Sequence, residues 1–137
     1  AVNTQAIIDQ PSQFDFYDGG GLDIAVLGAV EVDAEGSVNV ASFAGRFAGV
    51  GGFTNISHSA RRLVFCCTFT AGGLEVAMEG NKLRVLREGQ HAKFVSKLQH
   101  VCFHGPTAFQ NGQQVIYVTE RAVFELTQPL VPVPVTL

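Results

Sequence analysis

The sequence of 137 residues predicts an α/β domain with short helices, and three observations support this class. First, a glycine run, Gly49-Val50-Gly51-Gly52-Phe53, stands between a strand-like and a helix-like segment. Second, residues 63–69 carry no charge, which is typical of a central strand covered on both faces. Third, two strand-like segments, 74–78 and 82–87, flank Glu79-Gly80-Asn81, the pattern of a hairpin.

The N-terminal 21 residues are expected to form a turn-rich loop. Aromatic side chains at 14, 16 and 17 precede the run Asp18-Gly19-Gly20-Gly21. We expect this loop to pack at its aromatic end and to move at its glycine end. The next segment, 22–32, is apolar and β-branched, so it is predicted to be a buried strand. Residues 37–43 alternate and are expected to pair back on it as a hairpin.

The elements around and after the glycine run follow from composition and periodicity. Residues 54–62 predict a short helix, with Arg61 and Arg62 near its C-terminus, where the helix dipole favours cations. Residues 91–99 predict an amphipathic helix, because Phe94, Val95 and Leu98 share one face. Short strands are predicted in the following segments: 63–68, 74–78, 82–87, 101–103, 114–118 and 122–126.

The end of the chain, residues 129–137, alternates proline and valine. Proline cannot donate to a ladder, so this segment is expected to be an edge segment or an extended tail. The sequence therefore divides into a domain at 1–128 and a Pro/Val tail at 129–137.

Composition limits the classes of partner. Charged residues are 15% of the chain, against about 25% in a typical soluble domain, and the mean hydropathy is +0.23. We therefore expect another chain to cover part of the surface, in a homo-oligomer or as one piece of a larger protein. The net charge is −3 and no basic cluster extends beyond Arg61-Arg62, so nucleic-acid binding is not expected.

Location follows from what the sequence lacks. No apolar run approaches the roughly 18–20 residues of a membrane span, and the first residues show no secretory signal pattern. Cys66, Cys67 and Cys102 are an odd set without the spacing of a disulfide framework. A cytoplasmic location is the expectation.

The glycine run allows two interpretations. Three glycines in four positions permit positive φ and the close approach of another molecule. Their N–H groups, with those of the first helical turn, could face an anion or a carbonyl oxygen that gains charge in a reaction. Alternatively, the run is a tight turn where a strand and a helix pack closely. The pattern alone leaves both interpretations open.

Four blocks, in order along the chain, carry a family resemblance. They are AIIDQPSQFDFYDGGGLD at 6–23, GVGGF at 49–53, FCCTFTAGGLE at 65–75 and YVTERAVF at 117–124. Together they resemble the C-terminal, beta-subunit-like part of a family I coenzyme A transferase of the acetate or short-chain acyl-CoA:carboxylate type. The resemblance implies an incomplete α/β domain with an open mixed sheet and short helices, of the CoA-transferase (NagB/RpiA-like) fold. It also implies a coenzyme A thioester as possible substrate, with no bound cofactor.

The resemblance assigns roles to two segments. In that family a glutamate carboxylate attacks the acyl-CoA and becomes a glutamyl-CoA thioester. The resemblance places the following residues in the oxyanion and CoA-thioester cleft: Gly49, Val50, Gly51, Gly52 and Phe53. It places the following residues at the border of the substrate cleft: Asp18, Gly19, Gly20 and Gly21.

One departure from the family concerns the nucleophile. The family's glutamate lies in a Glu-x-Gly motif upstream of these blocks, and no such motif opens this chain. We therefore expect no catalytic residue here, no transfer activity by the chain alone, and a partner chain that supplies the missing half.

Other interpretations remain open. The chain could be a non-catalytic, self-associating protein that keeps the fold, or a small enzyme that uses Cys67 or His104. His100-x-Cys102-x-His104 puts three ligand-type side chains on one strand face, but no fourth zinc ligand is indicated, so no metal is expected. Glu120-Arg121 is expected to be a local or interface ion pair, and Glu75 receives no catalytic role.

Overall fold

The computed structural model describes residues 2–43 and 45–127, and the backbone of residues 131–133. The described residues form three helices and fourteen strands. The helices are α1 (Gln10–Asp18), α2 (Phe53–Ser59) and α3 (Gly105–Gln110). The strands are β1 (Ile24–Gly28), β2 (Glu31–Asp33), β3 (Val38–Asn39), β4 (Ser42–Phe43), β5 (Arg46–Phe47), β6 (Arg62–Cys66), β7 (Thr70–Ala71), β8 (Glu75–Glu79), β9 (Lys82–Arg87), β10 (His91–Ala92), β11 (Phe94–Val95), β12 (Gln114–Val118), β13 (Val123–Glu125) and β14 (Val131–Val133).

A five-stranded mixed sheet, in the order β1-β6-β12-β13-β14, organises the domain. Strands β1, β6 and β12 are parallel, and β13 and β14 continue the sheet in antiparallel pairs. A smaller sheet, β11-β2-β3, packs beside it, and three two-stranded pairs complete the fold: β4-β5, β7-β10 and β8-β9. The α/β class with an open mixed sheet and short helices is confirmed.

One face of the parallel strands carries the core. Leu63 and Phe65 of β6 are almost fully buried, as are Val115 and Tyr117 of β12. The ring of Phe65 lies 5.9 Å from that of Phe53 in α2, 5.1 Å from Phe103 and 5.3 Å from Tyr117, centroid to centroid. This aromatic cluster fixes α2, and so the glycine run before it, against the sheet.

The opposite face of the same strands is open. We call it the bare face; it consists of Ile24, Val26, Val64, Cys66 and Ile116. Val26, Val64 and Ile116 are neighbours in register across the three strands, and Val26 is 63% exposed. The sequence predicted a strand covered on both faces for 63–69 and a buried strand for 22–32, and both predictions are wrong for this face within the described chain.

Several predicted elements have other boundaries. Residues 22–32 form two strands in different sheets, β1 and β2, rather than one. Residues 37–43 are likewise interrupted, because the Asn39 side chain accepts hydrogen bonds from the N–H groups of Ala41 and Ser42 and bends the chain between β3 and β4. The hairpin of 37–43 with the preceding strand is confirmed only for β2 and β3.

Two predictions of helical structure are corrected. Residues 91–99 contain the short strands β10 and β11 instead of a helix, because pairing with β7 and β2 and stacking of Phe94 on Phe69 and Phe124 outweigh the helical spacing. Helix α2 ends at Ser59, so Arg61 and Arg62 lie beyond it, and Arg62 begins β6. Neither arginine therefore lies in the last turn of α2, where a cation would interact favourably with the helix dipole.

Two helices lie where the sequence predicted none. Helix α1 replaces the expected N-terminal loop; the Asp9 carboxylate caps it by accepting from the Ser12 N–H at 3.3 Å. Helix α3 follows a single bridge between Val38 and Phe103, in place of the strand predicted at 101–103. Both helices carry a proline in the first turn, where the missing N–H costs nothing.

The remaining predictions concern the second half of the chain. The hairpin β8-β9 and the strands β12 and β13 are confirmed. In the Pro/Val tail, the backbone of 131–133 pairs with β13 at the sheet edge, whereas the rest of 129–137 lies outside the described residues. Among the described residues, no helix has the length and apolar character needed to cross a membrane.

Candidate functional site

The glycine run forms an open loop between β5 and α2. Gly49 and Gly51 have φ values of 79° and 52°, which L side chains rarely adopt. A Cβ atom at either position would have no neighbour within 4 Å. The two glycines therefore serve the backbone conformation and keep the space beside the loop clear of side chains.

The loop presents unused backbone donors. It is held at its start by Ala48 and Gly49, whose N–H groups donate to the Ala41 carbonyl at 2.7 and 3.3 Å. At its end the Phe53 N–H donates to the Val50 carbonyl at 3.1 Å. Within the described part of the chain, the N–H groups of the three residues between, 50–52, have no acceptor. Three successive donors on a fixed, open loop suit an oxygen atom that carries or gains negative charge.

Helix α1, which precedes the glycines at 19–21, packs against the glycine loop. An ideal Cβ on Gly52 would lie 2.6 Å from Cζ of Phe14, so the Phe14 ring rests directly on the Gly52 backbone. The Asn55 amide of α2 donates to both carboxylate oxygens of Asp18, at 3.1 and 3.0 Å. Helix α1, which ends at Asp18, is thus in contact with the glycine loop and with α2.

The three glycines after Asp18 are used differently from those of the loop. The N–H groups of Gly19, Gly20 and Gly21 donate to carbonyls of α1 at 2.9, 3.0 and 2.9 Å. A Cβ on Gly21 would lie 2.4 Å from the Phe16 ring. These glycines end helix α1 and let the chain fold under Phe16, so they offer no free donor to a ligand.

A cavity of about 410 Å³ adjoins this arrangement between α2 and α3. Asp18 and Asn55 line one side, and His58, His104 and Gln113 line others. The Gln113 amide donates to the carbonyls of Ser57 and Ala60 at 2.8 and 2.6 Å, which holds the end of α2. The cavity is therefore bordered by polar groups already engaged in positioning the two helices.

The three ligand-type side chains of the His100-x-Cys102-x-His104 pattern have three different structural roles. His104 caps α3, its Nδ1 accepting from the Thr107 N–H at 3.3 Å. The Cys102 thiol accepts from the Val40 N–H at 3.4 Å. The His100 ring packs edge-to-face on Phe47, with ring centroids 6.0 Å apart. Across residues 2–43 and 45–127, no three His, Cys, Asp or Glu side chains are grouped to hold a metal ion.

The surroundings of the remaining candidate side chains, the two adjacent cysteines and Glu75, indicate structural roles. Cys66 is exposed on the bare face, and burial raises the pKa of the half-buried Cys67 thiol, which disfavours the reactive thiolate. Glu75 forms an exposed ion pair with Arg87 across the β8-β9 hairpin at 2.5 Å. Neither Cys67 nor Glu75 has the surroundings that activate a nucleophile.

Arg121 is the centre of an ion-pair network. Its guanidinium contacts Glu120 at 2.7 Å and Glu88 at 2.7 and 3.0 Å, and it lies over the Phe69 ring. Its hydrogen bonds lower the pKa of Glu88. Burial alone would raise the pKa of Glu120, but hydrogen bonds from Arg121 and the Phe69 N–H outweigh it and lower the pKa. The predicted local ion pair is present and ties β9 to the β12-β13 turn.

Sequence comparisons connect this geometry to known proteins. No protein-family model matches the chain. It is 46% identical over 127 residues to the acetate CoA-transferase YdiF of Escherichia coli (strain K12), covering 93% of this chain and 24% of that protein. It is 43% identical over 131 residues to the caffeate CoA-transferase of Acetobacterium woodii, covering 92% of this chain and 25% of that protein. The chain spans about a quarter of the length of these relatives.

Solved structures give the same result. The apoenzyme of the acyl-CoA transferase YdiF from Escherichia coli O157:H7 has a TM-score of 0.93 and 45% identity, over 96% of this chain and 26% of that chain. The same protein has been solved as a thioester complex with CoA. The decarboxylase AibA/AibB has a TM-score of 0.64 and 25% identity, over 95% of this chain and 47% of that chain. The resemblance to part of a CoA-transferase is confirmed, while the decarboxylase indicates that the fold alone does not determine the reaction.

Proposed function

Since the chain matches one part of the CoA-transferases in sequence and fold, we propose that it forms the coenzyme A thioester side of an acyl-CoA:carboxylate CoA-transferase site. The glycine loop, 49–53, receives the thioester, and Asp18 borders the same cleft. The nucleophilic glutamate comes from a segment outside these 137 residues, on the same or a partner chain. By itself the chain binds acyl-CoA and transfers nothing.

The observation that carries this proposal is the row of N–H groups at 50–52, which have no acceptor among the described residues. When a carboxylate attacks a thioester, the carbonyl oxygen gains negative charge, and oriented donors stabilise it without reorganising. Loss of one such donor typically lowers kcat by about 10²–10³-fold. The loop is oriented in advance, because the Ala41 carbonyl holds its start and Phe14 supports Gly52.

The relatives support a coenzyme A thioester as the ligand without specifying the acyl group. One is named for acetate, a small aliphatic carboxylate, and the other for caffeate, a larger aromatic carboxylate. Their shared part is coenzyme A, and a neighbouring structure contains CoA in a thioester complex. The proposed substrate class is therefore acyl-CoA, with coenzyme A as substrate rather than as a resident cofactor.

Calorimetric titration of the purified chain with acetyl-CoA and with free CoA tests the proposal. We expect micromolar binding, and we expect Gly51→Val to abolish it while the far-UV circular dichroism stays unchanged. Gly80→Val is the matched control, because Gly80 also has a positive φ, 63°, and no neighbour within 4 Å, but lies in the β8-β9 turn. Undiminished binding by Gly51→Val would show that the loop is not the thioester site.

Reconstitution tests the missing nucleophile. The chain is mixed with a CoA-transferase fragment that carries the Glu-x-Gly motif, and the exchange of labelled acetate into acetyl-CoA is followed. We expect exchange only with both components, and only if the glutamate is intact. Exchange by the 137-residue chain alone would contradict the proposed dependence on a partner segment.

A second function is favoured by the bare face. Ile24, Val26 and Ile116 are exposed on strands whose parallel type is normally covered on both sides. In this alternative a second copy covers the face, and the protein is a non-catalytic homo-oligomer that keeps the fold. A stable oligomer in sedimentation analysis that dissociates on Val26→Lys, together with no binding of CoA, would support it over the transferase proposal.

The proposed location is the cytosol. Cys66, Cys67 and Cys102 are free thiols, and reducing compartments keep thiols in this form. Cell fractionation followed by alkylation of the intact protein tests this, because disulfide-linked Cys66 or Cys102 would contradict it.

A further inference from the structure

The hairpin of β8 and β9 stands apart from the rest of the domain. Its two strands pair with each other and with no other described strand. Within the described part of the chain, none of its apolar side chains belongs to the hydrophobic core or to the residues that pack against the core. A two-stranded hairpin is marginally stable in water unless something packs on its apolar face. The apolar surface of this hairpin therefore requires an explanation.

The register of the hairpin gives it one apolar face. Val76 pairs with Val85 and Met78 pairs with Leu83, and the side chains of directly paired residues point to the same side of a ribbon. The register shifts by one residue after these pairs, so that Leu86 has no partner of its own and stands beside Val85, opposite Val76. We call this surface the hairpin face; it consists of Val76, Met78, Leu83, Val85 and Leu86.

The hairpin face is open to solvent. Met78 is 65% exposed, Leu86 58% and Val76 44%, and Leu83 is exposed as well. Single exposed apolar residues are common on protein surfaces, whereas a contiguous apolar patch bordered by polar residues marks a site of interaction. The hairpin face has this character, because its members are neighbours across two paired strands.

The opposite face of the hairpin is charged, and its charges are already paired. Glu75 Oε1 lies 2.5 Å from Arg87 Nη2, and Glu79 Oε1 lies 2.9 Å from Arg84 Nη1. Lys82 is paired in register with Glu79 and so shares this face. Since these charges compensate each other across the two strands, this face is satisfied in water. The hairpin face is the side that lacks a partner.

The charges are also sorted by strand. Strand β8 carries Glu75 and Glu79 and no cation, whereas β9 carries Lys82, Arg84 and Arg87 and no carboxylate. When two copies stack by their hairpin faces about a two-fold axis parallel to the strands, β8 of each copy lies over β9 of the other. The acidic edge of one hairpin then follows the basic edge of the other. The hairpin is therefore the charge complement of a second copy of itself.

The size of the hairpin face sets the strength of such a contact. Two paired strands of five or six residues span about 17–20 Å by about 10 Å, which gives a buried surface of a few hundred Å² per copy. A standard stable interface buries about 800 Å² per partner. We therefore expect a reversible association with a dissociation constant on the order of 10–100 µM, in the range of weak specific complexes.

We propose that the hairpin face binds the hairpin face of a second copy of this chain, in a weak two-fold dimer with β8 of each copy over β9 of the other. One patch that contacts itself is what a two-fold dimer requires. The contact uses neither the glycine loop nor the bare face. The inference is therefore independent of the proposed function.

Sedimentation velocity of the purified chain, from about 5 to about 500 µM, tests the dimer. The weight-average mass should rise from that of the 14.6 kDa monomer towards twice this value. Met78→Lys should weaken association by at least about tenfold, because it puts a charge without a partner in the middle of the apolar contact. Ala77→Lys is the matched control, because it adds the same charge one residue away on the charged face and should keep the association within about threefold.

Charge reversal tests the arrangement of the strands. Glu75→Lys/Glu79→Lys makes both strands of the hairpin basic, and Lys82→Glu/Arg84→Glu/Arg87→Glu makes both strands acidic. Each variant alone should be monomeric at low ionic strength, and an equimolar mixture should form a heterodimer that salt weakens. If each variant associates by itself as the unmodified chain does, the proposed stacking of β8 over β9 is wrong.

The remaining outcomes decide the site of the contact. A chain that stays monomeric over the whole concentration range overturns the proposal. An association that Met78→Lys keeps and Val26→Lys loses belongs to the bare face and also overturns it. Met78 is exposed, so Met78→Lys should show unchanged far-UV circular dichroism and should bind acetyl-CoA as the unmodified chain does. Loss of the dimer is thus distinguished from a failure of the thioester proposal.

Discussion

The contact between Phe14 and Gly52 offers a sharp test of how the candidate site is assembled. A methyl group at Gly52 would lie 2.6 Å from Cζ and 2.9 Å from Cε1 of Phe14. Carbon atoms in favourable contact are about 3.5–4.0 Å apart, so the ring would have to retreat by roughly 1 Å. Gly52 has a φ of −84°, which alanine adopts freely, so the cost of Gly52→Ala arises mainly from this contact.

The magnitude follows from the cost of overpacking. An extra methyl group in a packed contact destabilises by about 1–2 kcal/mol where a side-chain end is able to shift. Phe14→Leu shortens the obstructing side chain, so in that background Gly52→Ala should cost about 1–2 kcal/mol less. The change of helix-capping residue is common to both comparisons and cancels in the double-mutant cycle.

The assay is urea unfolding of the four proteins, with the coupling energy taken from the cycle. Gly28→Ala, in the unmodified and in the Phe14→Leu background, is the matched control, because a Cβ at Gly28 has no neighbour within 4 Å. Its effects should add within about 0.5 kcal/mol. An equal cost of Gly52→Ala in both backgrounds would refute the direct contact between α1 and the glycine loop.

Three further predictions concern the rest of the fold. Gly105→Ala should destabilise the fold by about 3 kcal/mol, because its Cβ would lie 2.2 Å from the Glu35 carbonyl oxygen and 2.7 Å from the carbonyl carbon of Gly36. Thermal unfolding measures the effect, and a Tm shift no larger than that of Gly28→Ala would contradict the prediction. Arg121→Gln should lower the free energy of unfolding by about 1 kcal/mol at neutral pH. Folding lowers the pKa values of Glu88 and Glu120, so this stabilisation is present above the carboxyl pKa of the unfolded state and is lost as the pH falls through the folded-state pKa values. A stability difference between the two proteins that persists undiminished at pH ~2 would contradict this prediction. Iodoacetamide at pH ~8 should alkylate the exposed Cys66 before Cys67, because burial raises the pKa of the Cys67 thiol. Peptide mass spectrometry measures the order of alkylation, and modification of Cys67 first would contradict the prediction.

Local signals in the sequence were sufficient for some elements. The β8-β9 hairpin follows from a turn between two charge-rich strands, and β12 and β13 follow from apolar runs separated by polar residues. Gly49 and Gly51 do require the left-handed conformation that their position suggested. In each case the interactions that decide the conformation lie within a few residues.

Two helices were missed although their signals are local. Asp9 followed by a proline two positions later is a helix start, and His104 with Pro106 is another. The aromatic and glycine content of 14–21 favours a loop for the first segment, and residues 101–103 favour a short strand just before the second. Capping residues outweigh composition in such short segments, because they satisfy the N–H groups that a helix start leaves free.

The rest depended on distant contacts. Residues 91–99 have helical spacing, but Phe94 finds Phe69 and Phe124 in a stack that only the folded chain brings together. The same holds for the site, because Phe14 meets Gly52, and Arg46 and Lys97 line one cavity, only when segments distant in sequence are brought together. Periodicity within one segment contains no information on such pairs.

The parallel register of the central strands has a consequence for how the chain folds. Ile24 pairs with Arg62, and Arg62 with Gln114, so each of the two parallel pairings closes a loop of several dozen residues. Loop closure of this length costs entropy before any contact compensates for it, and folding rates fall as the separation of contacting residues grows. We therefore expect the β8-β9 hairpin, closed by a short turn, to form early, and the contact of Phe65 with Tyr117 to form only after the loop between β6 and β12 has closed. Since the glycine loop rests on Phe65 through Phe53, we expect it to be among the last parts of the chain to acquire its geometry.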